Sequence, residues 1–328
     1  MNQGWRTVCF SLCCFLLAVE GGSPTRGGEA VQEQGHLARR ELLNPMALAI
    51  TVDDLPAAGE LLPDMTRLEI ARQIITALHT SQIPTVYGFS NGERLTWDPS
   101  GLEVLHAWRA AGHFLGNHTF SHPDLARTTA EAYMADIAEM DRVLATLSPA
   151  SSAWKVFRYP FLSEGETLEK RNAVRAYLSR QGYRIAQVTV DYYDWAWADA
   201  YRRCTMQRHE SMLRWVREQV VQVARQEVRR AQKQAILVQG RDLPHILLVH
   251  INAFTALTLP EILAALKADG VTFIDLQTAM SDPIYSINPN LPLLDGQTFL
   301  DQLIQMKGID DLYEEPYSIE QLEQICKQ

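Results

Sequence analysis

The segment Ala47-Leu-Ala-Ile-Thr-Val-Asp-Asp54 sets the pattern of the fold, because an apolar run of strand length ends directly in two carboxylates. A helix is predicted to follow from about Thr66, where Glu69 completes a capping box and apolar residues recur at helical spacing. Residues 84–89 then predict a second strand. Strands that alternate with amphipathic helices are typical of a parallel sheet, either open or closed into a barrel.

The same alternation continues along most of the chain. Further predicted helices begin at Ser100, Thr128 and Thr258, and further predicted strands cover residues 184–190, 246–249 and 271–274. Residues 206–238 are rich in Arg and Gln and predict a long helix. Such helices usually present a solvated face, so we assign no chemistry to this one.

Five polar segments lie at the ends of apolar runs. They are Asp53-Asp54, His118-Thr-Phe-Ser-His122, Arg158-Tyr-Pro-Phe161, Asp191-Tyr-Tyr-Asp-Trp195 and Leu247-Leu-Val-His250. Open α/β sheets and barrels place their sites at the carboxyl ends of their strands. We therefore expect these segments to form one site.

The two histidines of the second segment suggest a metal site. Their i, i+4 spacing puts His118 and His122 on one face of a helical turn, which suits two imidazoles on one metal. A carboxylate would complete three protein ligands and leave an open position for water. The alternative is a chance pair, with one histidine in the core and one on the surface.

The acidic pair and the arginine also have structural interpretations. Asp53 and Asp54 would suit turn and cap chemistry after a strand, beside Leu55-Pro56. Arg158 closes an apolar run, and a buried charge there needs a partner, for which Asp53 is the natural candidate. A surface arginine is the alternative.

The last two segments combine carboxylates, aromatic rings and a histidine. Asp191 and Asp194 flank two tyrosines and precede Trp195, a composition that suits a sugar-binding groove or a partly buried aromatic cluster. His250 ends the run 246–249, and a lone histidine in that place is most often structural. Its role depends on the groups around it.

The composition is ordinary for a soluble globular enzyme and does not by itself indicate an activity. The chain has 328 residues, of which 47% are hydrophobic and 21% charged, and a formal net charge of −9. There is ample apolar material for a core. The acidic balance argues against nucleic acid as a partner, because phosphate binding needs a basic surface.

The N-terminus predicts an export signal over residues 1–22, with Arg6 as a short basic region and an apolar run at 7–19. The run is too short for a comfortable membrane span, and a buried helix is the alternative. Residues 23–46 predict a solvated linker. We therefore expect a secreted or periplasmic protein with no stable membrane span after signal removal.

Three of the five cysteines, Cys9, Cys13 and Cys14, lie inside the predicted signal. A lipid-attachment site there is a minor alternative, since no small residue precedes either of the last two. Cys204 and Cys326 could pair in an oxidising compartment, but two distant cysteines form no disulfide framework. The expectation is two isolated thiols.

Together the five segments make residues 47–283 resemble the polysaccharide deacetylase family, carbohydrate esterase family four, which shares the NodB-homology domain. The resemblance implies a deformed (β/α) barrel of about seven parallel strands. It makes Asp53 the general base, oriented by Arg158. It makes Asp54, His118 and His122 the ligands of a divalent metal, with zinc first and cobalt, nickel or manganese able to substitute.

The resemblance also assigns the acid and the substrate contacts. His250 would be the general acid, held by Asp194, and the backbone N–H of Phe161 would help to bind the oxyanion. Trp195 and Leu247 would line the acetyl and sugar pocket. The chain departs from the family pattern at Val52, where Phe is usual, and at Phe161 in place of Tyr, and neither change removes a ligand or a proton-transfer group.

The function implied is a secreted metal-dependent hydrolase that removes N-acetyl groups from a chitin- or peptidoglycan-like polysaccharide. An O-acetyl esterase or another C–N amide hydrolase on the same scaffold is the alternative. A glycan-binding module without catalysis is less favoured, because a full set of catalytic roles is filled. The predicted catalytic domain, 47–283, contains a helical insertion at about 200–243, and 284–328 form an accessory tail.

Overall fold

The structure is a computed structural model that describes residues 46–98, 100–148, 151–293, 296–310 and 316–327. The predicted signal peptide and nearly all of the predicted linker lie outside these residues. Among the described residues, no helix is both long enough and apolar enough to cross a membrane.

A parallel sheet forms the centre of the fold. Its strands are β1 Ala47–Leu55, β2 Tyr87–Ser90, β3 Phe114–Asn117, β4 Val156–Phe157, β5 Arg184–Ile185, β6 His245–His250 and β7 Thr272–Ile274. The order is β5-β4-β3-β2-β1-β6, and β7 pairs with the start of β1. All these pairs are parallel, which confirms the prediction of a parallel sheet.

The segment that follows β5 curls the sheet toward a barrel. The Ala186 N–H donates to the Phe157 carbonyl of β4, whereas the Val190 N–H donates to the Ile246 carbonyl of β6. Leu248 in turn donates to the carbonyl of Val190. The chain therefore leaves one edge strand and joins the other, which explains why the predicted strand over 184–190 divides. The result is the deformed (β/α) barrel that we expected.

Helices cover the outside of the sheet. They are α1 Arg67–Thr80, α2 Arg94–Trp97, α3 Gly101–Ala110, α4 Ala130–Leu147, α5 Leu168–Arg180, α6 Asp194–Met206, α7 Glu210–Gln239, α8 Ala253–Ala268, α9 Leu276–Ala279, α10 Phe299–Lys307 and α11 Ile319–Gln324. The capping box of Thr66 and Glu69 at the start of α1 is confirmed.

Two predicted helix starts are wrong. Helix α4 is capped by Thr129, one residue after the predicted Thr128. Helix α8 begins at Ala253 with Asn252 as its cap, so the predicted start at Thr258 falls inside the helix. The Thr258 hydroxyl instead donates to the Phe254 carbonyl one turn earlier. A Thr-x-x-Glu pattern can thus occur within a helix when a better cap precedes it.

The long helix α7 is amphipathic, so the expectation of a merely solvated helix is only half right. One face buries Val216, Val220 and Val228 against the rest of the domain. On another face, Arg225 and Arg229 form ion pairs with Asp269 at the end of α8. The charge-rich composition describes only the exposed face.

The C-terminal segment packs against the barrel. Phe299 and Leu303 of α10 are fully buried. The Phe299 N–H donates to the carbonyl of Val188, which lies between β5 and β6 in the segment that joins the two edges of the sheet. Cys204 of α6 and Cys326 form a disulfide, so the expectation of two isolated thiols is wrong. A sequence separation of 122 residues gives no local signal for such a pair.

Candidate active site

The end of β1 brings two adjacent carboxylates to one cavity. The β1–β2 register shifts between Val52 and Leu55, and Asp54 has a φ of 68° in the left-handed region. In a regular strand, neighbouring side chains would point to opposite faces. The irregularity allows Asp53 and Asp54 both to line a cavity of about 640 Å³.

Asp54, His118 and His122 form a cluster with the geometry of a metal site. The Asp54 Oδ1 atom lies 3.2 Å from His122 Nε2 and 3.6 Å from His118 Nε2. Their ligand atoms all lie within 4.8 Å of one another. The structure thus brings together the three residues that the sequence predicts as ligands.

The two histidines do not lie on a helical turn, and that part of the prediction is wrong. Residues 118–122 form a loop after β3 in which Thr119 and His122 have φ values of 65° and 57°. Asp136 of α4 holds the loop, because its Oδ2 accepts the Phe120 and Ser121 N–H groups at 2.7 and 2.9 Å. The two histidine side chains are brought together by the geometry of this loop instead of by a helical turn.

The donor set fits a divalent cation such as zinc. The His118 Nδ1 atom lies 2.8 Å from the Arg158 carbonyl oxygen, so Nδ1 carries the proton and Nε2 presents a lone pair. Burial lowers the pKa of both His118 and His122, which keeps the imidazoles neutral. The buried Asp54 Oδ1 has no hydrogen-bond partner among the described residues. A cation would satisfy that oxygen.

Asp53 is held by a buried arginine. The Arg158 Nη1 atom donates to both Asp53 oxygens, at 3.1 and 3.0 Å, and Nη2 donates to Thr51 Oγ1 at 3.1 Å. The Arg158 Nε atom donates to the Ala186 carbonyl at 2.7 Å. The side chains of Asp53 and Arg158 are 2% and 1% exposed, so the pair is fixed and shielded from water.

The surroundings of Asp53 tune its proton affinity. Burial raises its pKa to about 6, against the charges of Arg158 and His250, which lower it. A carboxylate with a pKa near 6 is ionised at neutral pH and is a stronger base than an ordinary aspartate. Asp53 is therefore suited to accept a proton.

Asp194 and His250 form a second charge pair beside the first. His250 is the register partner of Asp53 across β1 and β6. Its Nδ1 lies 2.6 Å from Asp194 Oδ1. Burial alone would lower the pKa of His250, but the charge and hydrogen bond of Asp194 raise it to about 10. His250 is therefore protonated at neutral pH. Asp194 contacts its Nδ1 atom and leaves the Nε2 atom for other partners.

Two exposed aromatic side chains are among the residues that line the same cavity. Trp195 is 42% exposed, and Phe161 is 55% exposed with a φ of 57°. The Phe161 ring lies against His122, with ring centroids 4.6 Å apart. Among the described residues, the Phe161 N–H has no backbone partner, which leaves it available to a ligand.

Leu247 does not line the cavity, and this prediction needs correction. Its side chain is fully buried in the main hydrophobic core, whereas its neighbour Leu248 lines the cavity. Successive residues of β6 point to opposite faces, so a shift of one residue exchanges core and cavity.

Several residues that position the site escaped the sequence prediction. Asn252 and Thr255 donate to Asp194 Oδ2 at 3.1 and 2.7 Å, and Thr51 links Arg158 to β6 by donating to the Leu247 carbonyl. The cap position of Asn252, two residues after His250, could have revealed it.

Asp191 of the fourth predicted segment also lines the cavity, and burial raises its pKa to about 7.

Comparison with known proteins supports the resemblance to the polysaccharide deacetylase family. Residues 43–186 match the family model described as polysaccharide deacetylase. A peptidoglycan-N-acetylglucosamine deacetylase of Bacillus cereus is 30% identical over 152 residues, which are 46% of this chain and 47% of that protein. The matched region spans about half the length of this curated relative.

Two solved structures are similar to this chain. A family 4 carbohydrate esterase pseudoenzyme from Bacillus anthracis has a TM-score of 0.50 at 15% identity, over 73% of this chain and 66% of that one. A family 4 carbohydrate esterase from Streptomyces lividans in complex with acetate gives 0.46 at 19% identity, over 72% and 96%. The family model covers residues 43–186, and this part of the chain is therefore similar to the polysaccharide deacetylase family, as the five segments at the barrel end lead us to expect.

Proposed function

We propose that the protein is a secreted, metal-dependent hydrolase that removes N-acetyl groups from a polysaccharide containing N-acetylhexosamine, chitin- or peptidoglycan-like. One observation carries the proposal. A metal-type triad, a base held by arginine and an acid held by aspartate line the same cavity. Metal-assisted amide hydrolysis uses all three functions, and side chains suited to each of them are present.

Asp54, His118 and His122 would hold the cation. When bound there, a divalent metal supplies Lewis-acid activation of water and of the acetyl carbonyl. The same cation would satisfy the buried Asp54 Oδ1 and use the Nε2 lone pairs of the histidines.

Asp53 would remove the proton from the attacking water. Arg158 fixes both Asp53 oxygens, so the carboxylate needs little reorganisation when the water oxygen bonds to the acetyl carbon. The oxygen of that carbon gains negative charge, and the Phe161 N–H, which has no backbone partner among the described residues, would donate to it.

His250 would complete the reaction. Its Nδ1 faces Asp194, and therefore its Nε2 proton is the one delivered to the nitrogen as the C–N bond breaks. The products are acetate and a free amine on the sugar. The aromatic faces of Trp195 and Phe161 suit the apolar C–H surfaces of a pyranose ring.

Two further observations support the substrate class and the compartment. The matching relative from Bacillus cereus is a peptidoglycan-N-acetylglucosamine deacetylase. The disulfide between Cys204 and Cys326 is typical of proteins that fold in oxidising compartments. Both agree with an exported enzyme that acts on an extracellular acetylated glycan.

Acetate release tests the proposal. The purified protein is treated with a chelator, reloaded with zinc, cobalt, nickel or manganese, and incubated with chito-oligosaccharide, peptidoglycan fragments and acetylxylan. We expect metal-dependent acetate release from the N-acetylated substrates. The Asp53→Asn variant, which keeps the size of the side chain, is the matched negative control.

The substrate panel separates the alternatives. Acetate from acetylxylan alone would identify an O-acetyl esterase. If the protein bound glycan but released no acetate from any substrate with any of the metals, it would be a binding module. The proposed hydrolase activity would then be refuted.

A further inference from the structure

Helix α6 presents one stripe of side chains to the cavity. Trp195, Ala198, Asp199 and Arg202 all line it, at the i, i+3, i+4 and i+7 positions of one helical face. Asp194, which holds the acid, is the first residue of the same helix. The stripe therefore extends the site from the reacting groups along the helix axis.

Arg202 has no partner on this stripe. Its Nε atom is buried without a hydrogen bond, and none of the ion pairs or hydrogen bonds among the described residues involves its guanidinium. The adjacent Arg203 is different, because it donates to the Ile325 and Leu322 carbonyls at 3.0 and 2.6 Å. The Arg202 guanidinium is therefore available to a molecule in the cavity.

Arg202 is also the single Arg or Lys among the described residues that line the cavity, whose other charged groups are mostly carboxylates. Five acidic residues line it, namely Asp53, Asp54, Glu60, Asp191 and Asp199. Asp199 lies one turn before Arg202 and yet forms no ion pair with it. Away from the reacting centre, where His250 and the proposed metal carry positive charge, an anionic group of a substrate would be repelled by the carboxylates and attracted by Arg202.

The position of Arg202 indicates which part of a substrate it would meet. At a rise of 1.5 Å per residue, seven residues place it roughly 10 Å along the helix from Trp195. That distance exceeds the size of an acetyl group, so Arg202 would face a substituent away from the reacting amide. The Cys204–Cys326 disulfide and Arg203 fix this end of α6 to the C-terminal segment, which adds Ile319 to the cavity wall.

We propose that Arg202 is a specificity residue that binds a carboxylate on the glycan, at a sugar neighbouring the one that is deacetylated. The inference rests on the proposed N-deacetylase function. A guanidinium binds a carboxylate through two parallel N–H···O bonds, which fixes orientation as well as charge. The preferred substrate is therefore an acidic N-acetylated glycan, and a neutral polymer is a poorer one.

A matched pair of substrates tests this. One is an N-acetylated oligosaccharide in which the neighbouring sugar carries a free carboxylate, and the other is its methyl ester. For the wild-type protein we expect a higher kcat/KM on the carboxylate, mainly through a lower KM. In Arg202→Gln the ratio of the two kcat/KM values should fall about tenfold or more, and Arg202→Lys should recover part of it. Arg109→Gln, an exposed arginine on α3, is the control.

Two outcomes would overturn the inference. If Arg202→Gln lowered kcat/KM equally on both substrates, the residue would have a structural role. If the wild-type protein had nearly equal kcat/KM values on the carboxylate and its ester, the proposed carboxylate site would be refuted. Failure of the wild-type protein to deacetylate either substrate would instead contradict the proposed function. Equilibrium binding of the carboxylate and of its ester to Asp53→Asn, with and without Arg202→Gln, would still measure the preference in that case.

Discussion

The Asp194 carboxylate contacts His250 at two points. Its Oδ1 lies 2.6 Å from the ring Nδ1, and its Oδ2 accepts a hydrogen bond from the His250 backbone N–H at 2.8 Å. Asn252 and Thr255 also donate to Oδ2. The side chain of Asp194 is 2% exposed, so these four contacts take the place of water around its charge. These contacts fix the carboxylate beside the imidazole, and its charge raises the pKa of the proposed acid, His250.

The first prediction concerns the alkaline limit of activity. His250 must be protonated to act as an acid, and Asp194 raises its pKa to about 10, so activity should persist above the ordinary histidine range. In Asp194→Asn the charge is lost and the pKa of His250 falls. The alkaline limb of kcat/KM should then move to lower pH. A pH–rate profile from about pH 5 to 11 measures this, because it extends past the pKa of His250 in the wild-type protein.

An alkaline limb that stays in place in Asp194→Asn would mean that another group sets it. The His250→Ala variant is the companion control, since it should remove that limb together with most of the rate. Circular dichroism of both variants checks that the fold is kept.

The second prediction separates the two adjacent carboxylates. Asp53→Asn should retain the metal but lose about a hundredfold or more in kcat, because an amide cannot accept the proton. Asp54→Asn should instead lose metal, since Asp54 Oδ1 is the oxygen that faces both histidines. Metal content by mass spectrometry and kcat at saturating metal measure the two effects. The reverse pattern would exchange the two roles.

The third prediction tests the ligands. Replacing His118 or His122 with alanine removes one of three protein ligands and should abolish both metal retention and acetate release. The double variant gives the sharpest test. Stoichiometric metal bound in that double variant would refute the ligand assignment.

A fourth prediction extends the metal site to a residue that only the structure reveals. Asp136 does not touch the cluster, but it accepts the N–H groups that fix the loop between the two histidines. Asp136→Asn should lower metal affinity about 10- to 100-fold, as loss of supporting contacts commonly does. Glu139→Gln, an exposed residue on the same helix, should leave metal affinity unchanged. Metal titration with a competing chelator distinguishes the two variants.

The sheet and the candidate site residues could be predicted because their signals are local. An apolar run followed by a polar segment predicts a strand end wherever it occurs, and parallel strands bring such ends together. This is how Asp53, Arg158 and His250, from three distant parts of the chain, could be assigned to one site. The resemblance to a family then supplied their roles.

Features that depend on tertiary structure could not be predicted. The His118–His122 spacing suggests a helix, but Asp136 stabilises a loop with left-handed residues. Leu247 and Leu248 are chemically identical, and only the register of β6 decides which one faces the cavity. These errors share a cause, because contacts made by residues distant in sequence overrode the local pattern.

The fifth prediction concerns the disulfide that joins α6 to the C-terminal segment. Cys204 is fully buried and its sulfur is bonded to Cys326 across 122 residues of sequence. Closing so long a loop restricts the unfolded chain, and removal of a native disulfide typically costs about 2–5 kcal/mol. The Cys204→Ala/Cys326→Ala double variant should therefore unfold at lower urea concentration. Alanine is chosen because a buried serine would add an unpaired hydroxyl. Wild-type protein treated with a reductant should show the same shift without any substitution, and an unchanged midpoint in both samples would mean that the disulfide does not stabilise the fold.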